Sequence, residues 1–324
     1  CKNLESRCGN NLCVNGTRFI AVKLIDVAGL VPGANEGKGL GNQFLTDAMQ
    51  ADALIHVVDA SGSTDIQGQP VPIGTHDPLE DIKFVEEEFD LWFKQILDRE
   101  WHKLTKEIEQ KRTRISEGLA RRFTGLGIKE SDIDKILTSM SLKSKKPTEW
   151  LDSEIMEFLK SLRRLSKPTI IAANKADLCD DLAIIQKMSE DFITIPSSAE
   201  TEFLLKKATK AGIIKYTPGD DNFIGNTDSE LSEQQNNALH LAKNVLTKIG
   251  VTGIQKILNT IIFDVMNLIV VYPVEDESKL CNKNGQVLPD ARLLHSSTTA
   301  KELAFTIHQD IGNGFLHAIN AKTK

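Results

Sequence analysis

Residues 168–177 read PTIIAANKAD, a sequence that indicates an α/β fold. Its first part is apolar and β-branched, which is typical of a buried strand, and a polar Asn-Lys-x-Asp turn follows at once. In open α/β sheets, such turns lie at the carboxyl edge, where ligands bind. The rest of the chain should therefore contain further strands of a parallel sheet.

Three more apolar runs have the length and composition of strands. They are Phe19–Asp26 (FIAVKLID), Ala53–Ala60 (ALIHVVDA) and Phe192–Ile195 (FITI). Each is followed by small or turn-forming residues. We predict an α/β protein with a mostly parallel sheet, in which Phe19–Asp26 is a buried strand that ends at Ala28-Gly29.

Two long stretches have helical periodicity instead. From Asp81 to Leu165, apolar residues follow helical spacing with charged residues between them, which predicts an inserted helical subdomain. The same periodicity returns from Glu230 to Leu268, and the remaining residues indicate a strand, an Asn-Gly turn, a strand and a helix near Thr299 to Asp310. We predict four segments: a sheet segment 1–80, a helical insertion 81–165, a second sheet segment 166–268 and a small α+β module 269–324.

Composition excludes several classes of partner. The chain has 324 residues, 40% of them hydrophobic and 26% charged, with a net charge of -6. An acidic balance gives no overall basic field for nucleic acid, so DNA is not an expected partner. The longest apolar run, Ile261–Tyr272, contains two polar residues and is shorter than the roughly 20 residues that a membrane-spanning helix needs. We therefore expect no membrane partner.

The cysteines indicate a reducing compartment. There are five, at positions 1, 8, 13, 179 and 281, and they lack the paired spacing of a disulfide framework. We therefore expect a cytoplasmic protein. Cys1, Cys8 and Cys13 favour free thiols in a loop over a zinc site, because no CxxC pair or nearby fourth ligand completes a tetrahedral set.

Three short motifs each follow a predicted strand, and together they indicate a nucleotide site. They are Asp26-Val-Ala-Gly29, Asn174-Lys-Ala-Asp177 and Ser197-Ser198-Ala199. Taken singly, each could be an ordinary turn. Because loops at the carboxyl ends of parallel strands share one crevice, their order and context carry the prediction.

The second and third motifs have the chemistry to bind a guanine base. The Asp177 carboxylate would accept hydrogen bonds from N1–H and the exocyclic amine of guanine, a donor pair that adenine lacks. Asn174 and the stem of Lys175 would hold the edge and face of the base. A backbone N–H of the Ser198-Ala199 loop would meet the guanine carbonyl oxygen.

The first motif has the chemistry to bind the phosphate end. Asp26 would position Mg²⁺ through water, because that ion retains much of its hydration shell. The N–H of Gly29 would sense the γ-phosphate of GTP and couple the nucleotide state to the glycine-rich loop that follows.

Residues 26–42 (DVAGLVPGANEGKGLGN), together with these motifs, resemble the Obg-like GTPases of the YchF subfamily, in its archaeal branch. Residues 271–276 (VYPVED) and 314–320 (GFLHAIN) look like parts of a truncated TGS domain, a ubiquitin-like β-grasp. The resemblance implies a P-loop NTPase-type fold. The first strand and the phosphate loop of that fold are missing here, and we expect them upstream of Cys1.

The resemblance also implies a switch that hydrolyses GTP or ATP in its full-length form and associates with the ribosome or ribosomal RNA. Some members carry Glu where Asp177 stands and accept ATP, so Asp177 favours GTP. Leu30 stands where Ras-type enzymes have the Gln that orients water, so Gly29 and Leu30 mark a switch region while the catalytic residue is unknown. Residues 33–39 (GANEGKG) have one residue too few for a phosphate loop, and we interpret Lys38 as a solvated side chain.

Two other functions compete with this interpretation. A non-catalytic module could bind the ribosome or RNA without nucleotide turnover. A dinucleotide oxidoreductase is disfavoured, because no GxGxxG sequence directly follows a strand. We interpret His56, His102 and His308 as packing or surface residues.

Overall fold

The computed structural model describes residues 13–27, 47–48, 50–111, 113–226, 231–321 and 323. These residues form two compact units. The sheet unit comprises the described parts of Ile25–Phe203 and Ala238–Ile254, and the second unit comprises those of Cys1–Leu24, Leu204–Asn237 and Gln255–Lys324. No helix in the described part of the chain has both the length and the apolar character needed to cross a membrane.

The described part of the chain contains both strands and helices. In chain order the strands are β1 (Cys13–Val14), β2 (Thr17–Arg18), β3 (Leu54–Asp59), β4 (Thr169–Asn174), β5 (Thr194–Pro196), β6 (Ile214–Lys215), β7 (Ile224–Gly225), β8 (Leu268–Val271) and β9 (Arg292–His295). The α-helices are α1 (Pro78–Asp98), α2 (Trp101–Lys111), α3 (Ile115–Phe123), α4 (Glu130–Ser139), α5 (Asp152–Ser166), α6 (Ala183–Asp191), α7 (Ala199–Lys210), α8 (Glu233–Ile249), α9 (Ile254–Asn259), α10 (Ala300–Ile307) and α11 (Gln309–Asn313). A π-helical stretch, Thr260–Val265, follows α9.

The sheet unit contains a parallel sheet with the strand order β3-β4-β5. The central strand β4 is buried along Ile170–Ala173, which explains its uninterrupted apolar sequence. Its register with β3 runs from Leu54 opposite Thr169 to Asp59 opposite Asn174. The predicted α/β class and parallel sheet are confirmed, and the carboxyl ends of these strands share one edge.

Helices α1 to α5 have a hydrophobic core of their own, which confirms the helical character predicted for residues 81–165. Phe93, Phe123 and Phe158 are fully buried in it. Arg163 on α5 is also buried, and its guanidinium binds Asp90 at 2.7 Å and Glu86 at 2.8 Å, both on α1. These charge-assisted bonds offset the cost of burying a cation.

The strand predicted for Phe19–Asp26 is absent: residues 19–27 lie outside helices and strands. Leu24 is 66% exposed and Ile25 is 40% exposed. A strand needs a ladder partner for its backbone, and among the described residues β3 pairs only with β4. An apolar, β-branched sequence was therefore insufficient for this prediction, and Asp26 does not stand at the end of a strand.

The second unit contains short antiparallel pairs and helices. β8 pairs with β9, with Leu268 opposite His295, and α10 begins at a capping box between Thr299 and Glu302. β1 pairs with β2, and β6 pairs with β7. The strands and helix predicted at the end of the chain are confirmed as elements.

Candidate functional site

The three parallel strands bring their terminal residues to one level. The N–H of Ala60, after β3, donates to the carbonyl oxygen of Asn174 at 2.9 Å. The N–H of Ser197, after β5, donates to the carbonyl oxygen of Ala173 at 2.8 Å. The loops that leave β3, β4 and β5 therefore start side by side. The loops after β4 and β5 are two of the three predicted ones, and the third place is taken by the loop after β3 and not by the Asp26 loop.

The second and third motifs contact each other directly. Oδ1 of Asn174 accepts the backbone N–H of Ala199 at 3.0 Å, and the N–H of Ala176 donates to the carbonyl oxygen of Ser197 at 3.1 Å. One side-chain bond, between residues 25 positions apart, and one backbone bond thus join the two motifs. The structure brings Asn174, Ser198 and Ala199 into one cluster.

Lys175 reverses the chain at the end of β4. Its φ of 56° lies in the left-handed region, which non-glycine residues seldom adopt outside tight turns and functional sites. Its ammonium binds Asp59 Oδ2 at 2.8 Å and Ser63 Oγ at 3.0 Å. The aliphatic stem of Lys175 is therefore held at the carboxyl edge of the sheet.

Asp59 is a residue that the sequence interpretation missed. Besides Lys175, its carboxylate accepts the hydroxyls of Ser61 at 2.6 Å, Ser63 at 2.8 Å and Thr64 at 2.9 Å. Burial alone would raise the pKa of Asp59, but these hydrogen bonds hold it well below its usual range, so the carboxylate is ionised. Its place at the end of ALIHVVDA, before Ser-Gly-Ser, was the available signal.

Asp177 presents a carboxylate that is free to accept hydrogen bonds. The residue is half-buried, and its side chain makes no hydrogen bond or ion pair with any residue that the structure describes. The turn that carries it is closed by a bond from the N–H of Leu178 to the carbonyl oxygen of Lys175 at 2.9 Å. An unengaged carboxylate beside Asn174 and Lys175 has the acceptor chemistry that guanine requires.

The N–H groups of the third motif are already bonded within the protein. Ser198 donates to the carbonyl oxygen of Thr252 at 2.9 Å, and Ala199 donates to Asn174. Ser198 is buried, whereas Ala199 is exposed at the start of α7. A ligand carbonyl would therefore share the N–H of Ala199 with Asn174 in a three-centre bond.

The first motif is only partly described. Asp26 is exposed, and its carboxylate makes no hydrogen bond or ion pair with the described residues. Gly29, Leu30, the sequence 33–39 and Lys38 lie outside the described residues. Among the residues that the structure describes, no group of three or more His, Cys, Asp or Glu side chains could hold a metal ion. The single free carboxylate of Asp26 is compatible with a Mg²⁺ ion whose other ligands are water and phosphate oxygens.

The remaining titratable candidates behave as structural groups. Burial lowers the pKa of His56 to about 4, against the opposite effect of Asp81 and Glu86, so the ring is neutral at pH 7. His102 and His308 are exposed, which agrees with the interpretation of all three histidines. Cys13, Cys179 and Cys281 are free thiols, and Cys1 and Cys8 lie outside the described residues.

Comparisons with known proteins show that this chain is similar to GTP-binding proteins. Residues 172–276 match a family model described as "Obg-like GTPase YGR210-like, G4 motif-containing domain". The chain is 45% identical to an uncharacterized GTP-binding protein of Methanocaldococcus jannaschii, over 100% of this chain and 82% of that protein.

A solved structure and a bacterial relative extend the comparison. The crystal structure of a GTP binding protein from Pyrococcus horikoshii matches with a TM-score of 0.70 and 39% identity, covering 87% of this chain and 75% of that one. The ribosome-binding ATPase YchF of Bacillus subtilis is 26% identical over 92% of this chain and 70% of its own length. The fold is thus that of a P-loop NTPase-type protein.

Proposed function

This chain belongs to the Obg-like GTPase family, and we propose that it is a guanine-nucleotide-binding switch that hydrolyses GTP to GDP and phosphate in its full-length form. One observation carries the proposal. At the ends of the parallel strands Asn174 binds Ala199, Asp59 binds Lys175, and the Asp177 carboxylate beside them is unengaged.

The base site would work by donor and acceptor matching. The carboxylate of Asp177 accepts from N1–H and the 2-amino group of guanine, whereas adenine offers N1 as an acceptor and would leave the carboxylate unpaired. Asn174 keeps the third motif in place through Ala199, and the Lys175 stem packs on the base while Asp59 holds its ammonium. These hydrogen bonds to Asp177 would favour GTP over ATP, although the Bacillus subtilis relative is named an ATPase.

The phosphate site would lie at the first motif. Asp26 would hold hydrated Mg²⁺ through a water, and the N–H of Gly29 would contact the γ-phosphate, which would link hydrolysis to the glycine-rich sequence after it. Mg²⁺ supplies charge neutralisation on the phosphate oxygens when it is bound. Leu30 cannot orient water, so the group that does so is not among the residues we assign.

The proposed setting is the cytoplasm, with the ribosome or ribosomal RNA as the partner. Support comes from the name of the Bacillus subtilis relative, which is a ribosome-binding protein. The helical insertion at 81–165 and a TGS-like β-grasp at 269–324 are the proposed docking parts, and segments 1–80 and 166–268 form the proposed nucleotide-binding domain.

The test is competition binding with a fluorescent GTP analogue. It uses this chain and the same chain with an added N-terminal segment that carries a phosphate loop. We expect the extended protein to bind GTP in preference to ATP in the presence of Mg²⁺ and to release phosphate. Absence of nucleotide binding in both proteins would refute the switch and favour the non-catalytic module.

A further inference from the structure

We propose that residues 248–253 support both candidate base loops, which are Asn174–Asp177 and Ser197–Ala199, and that Lys248 and Thr252 are positioning residues for guanine recognition. This support segment runs from the last turn of α8 to the residue before α9. It belongs to none of the three motifs, and all its contacts described below lie within the sheet unit. The inference rests on the proposed function, because it concerns how the same site recognises its base.

Lys248 holds the turn that carries Asp177. Its ammonium donates to the carbonyl oxygen of Asp177 at 2.9 Å and to the carbonyl oxygen of Cys179. An ammonium has three donors and no acceptor, so one cation can bind two carbonyls on either side of Leu178. These bonds fix the backbone from Asp177 to Cys179.

This backbone contact matters because no described side chain orients the Asp177 carboxylate itself. The direction of that carboxylate is then set by the turn, and the turn is held by Lys248. Two parallel hydrogen bonds to guanine tolerate little displacement of the acceptor pair, since hydrogen bonds weaken steeply with angle. Loss of the ammonium should therefore lower discrimination more than it lowers general nucleotide affinity.

Thr252 determines which N–H of the third motif can reach a ligand. Its carbonyl oxygen takes the N–H of Ser198 at 2.9 Å, and its hydroxyl donates to Oε2 of Glu202 at 2.6 Å. Thr252 is completely buried. Because the N–H of Ser198 is bonded to Thr252, a ligand can reach only the N–H of Ala199 in the Ser198-Ala199 pair. It would share that N–H with Asn174.

The backbone of the support segment also touches β5 directly. Gly253 has a φ of 84°, and an added Cβ would overlap the carbonyl oxygen of Pro196. Glycine is required here both for the left-handed backbone and for the close approach. Lys248, Thr252 and Gly253 thus connect one short segment to the loops after β4 and β5.

A solvated lysine near a helix end is the competing interpretation of Lys248, because cations favour the carboxyl ends of helices. Lys243 provides the matched control. It is an exposed lysine on the same helix, and within the described residues its ammonium has no hydrogen bond or ion pair. If the effect came only from removing a positive charge from α8, replacing Lys243 would have the same effect as replacing Lys248.

The experiment measures dissociation constants for GTP and ITP in the N-terminally extended protein and in its Lys248→Met, Lys248→Arg and Lys243→Met variants. ITP lacks the 2-amino group, so its ratio to GTP reports one of the two bonds to Asp177. We expect Lys248→Met to lower the preference for GTP over ITP about three- to tenfold. Lys243→Met should leave the preference for GTP over ITP unchanged, and Lys248→Arg should retain most of it.

Amide hydrogen exchange gives a second measurement that does not need nucleotide. In Lys248→Met the peptide covering residues 174–179 should exchange faster, while peptides from α1 and α5 keep their protection and show that the fold is intact.

The outcomes separate the two proposals. If Lys248→Met keeps the same preference for GTP over ITP as the parent protein, and exchange at residues 174–179 is unchanged, the proposed role of the support segment alone is overturned. A parent protein that prefers GTP to neither ITP nor ATP would overturn the proposed function and this inference together.

Discussion

The base loops and the Asp26 segment were predicted by the same kind of pattern, yet their environments differ. Asn174 and its neighbours follow a buried central strand and are bonded to each other, to Asp59 and to the support segment. Asp26 follows an apolar run that has no ladder partner among the described residues and is largely exposed. Of the two regions, only the one that follows a paired strand has side chains bonded to other described residues at the candidate site.

The largest effect on stability is expected at Gly253, on the well-fixed side of this comparison. Gly253→Ala should lower the free energy of unfolding by about 2 to 4 kcal/mol, because the new methyl group overlaps the Pro196 carbonyl and φ is positive. Gly250→Ala is the matched control, since Gly250 has a φ of 82° but open space around it. The control should lose only about 1 to 2 kcal/mol.

Urea unfolding followed by tryptophan fluorescence measures this difference, because Trp92, Trp101 and Trp150 all lie in the sheet unit. Equal losses in the two alanine variants would mean that Gly253 is required only for its backbone conformation.

A smaller effect is expected at Asp59. Asp59→Asn should weaken GTP binding about tenfold and cost about 1 to 2 kcal/mol of unfolding free energy, because the serine and threonine hydroxyls and Lys175 lose their charged acceptor. Asp180→Asn, an exposed carboxylate after the Asp177 turn, is the control and should change neither quantity. An unaffected GTP affinity in Asp59→Asn would separate Lys175 from base binding.

The smallest effect on stability is expected at Asp26. Asp26→Asn should change the free energy of unfolding by less than about 0.5 kcal/mol, because the side chain is exposed and makes no described bond. It should nevertheless remove most of the gain in GTP affinity that Mg²⁺ provides, measured by titration with Mg²⁺ and with a chelator. Destabilisation as large as that of Asp59→Asn would show that the two regions do not differ as described.

The sequence was sufficient where local pattern and tertiary pairing agree. The run PTIIAA became the buried central strand, and the Asn-Lys-x-Asp turn after it lies beside Ser197 and Ala199. The helices of residues 81–165 followed from apolar periodicity, because each buries one face against a common core. Both kinds of prediction depend on patterns that burial enforces.

Other features depend on contacts that no local pattern encodes. Phe19–Asp26 has the composition of a strand, but pairing decides whether a strand forms. The bonds of Lys248 to residues 71 and 69 positions away, and that of Asp59 to Lys175 across 116 positions, follow from topology. The sequence interpretation therefore named Asn174, Lys175, Asp177, Ser198 and Ala199, whose binding role stays a prediction. It missed Asp59 and Lys248, which hold these loops in place.

The most direct measurement is the nucleotide preference of Asp177→Asn, from binding of GTP, ATP and XTP to the N-terminally extended protein. Xanthine has a carbonyl where guanine has its 2-amino group, so an Asn amide can donate to it while still accepting from N1–H. We expect the preference for GTP over ATP to fall by on the order of 2 to 4 kcal/mol and the variant to prefer XTP over GTP. The same preference for GTP over both competitors, before and after the substitution, would contradict the assignment of Asp177 to a guanine base.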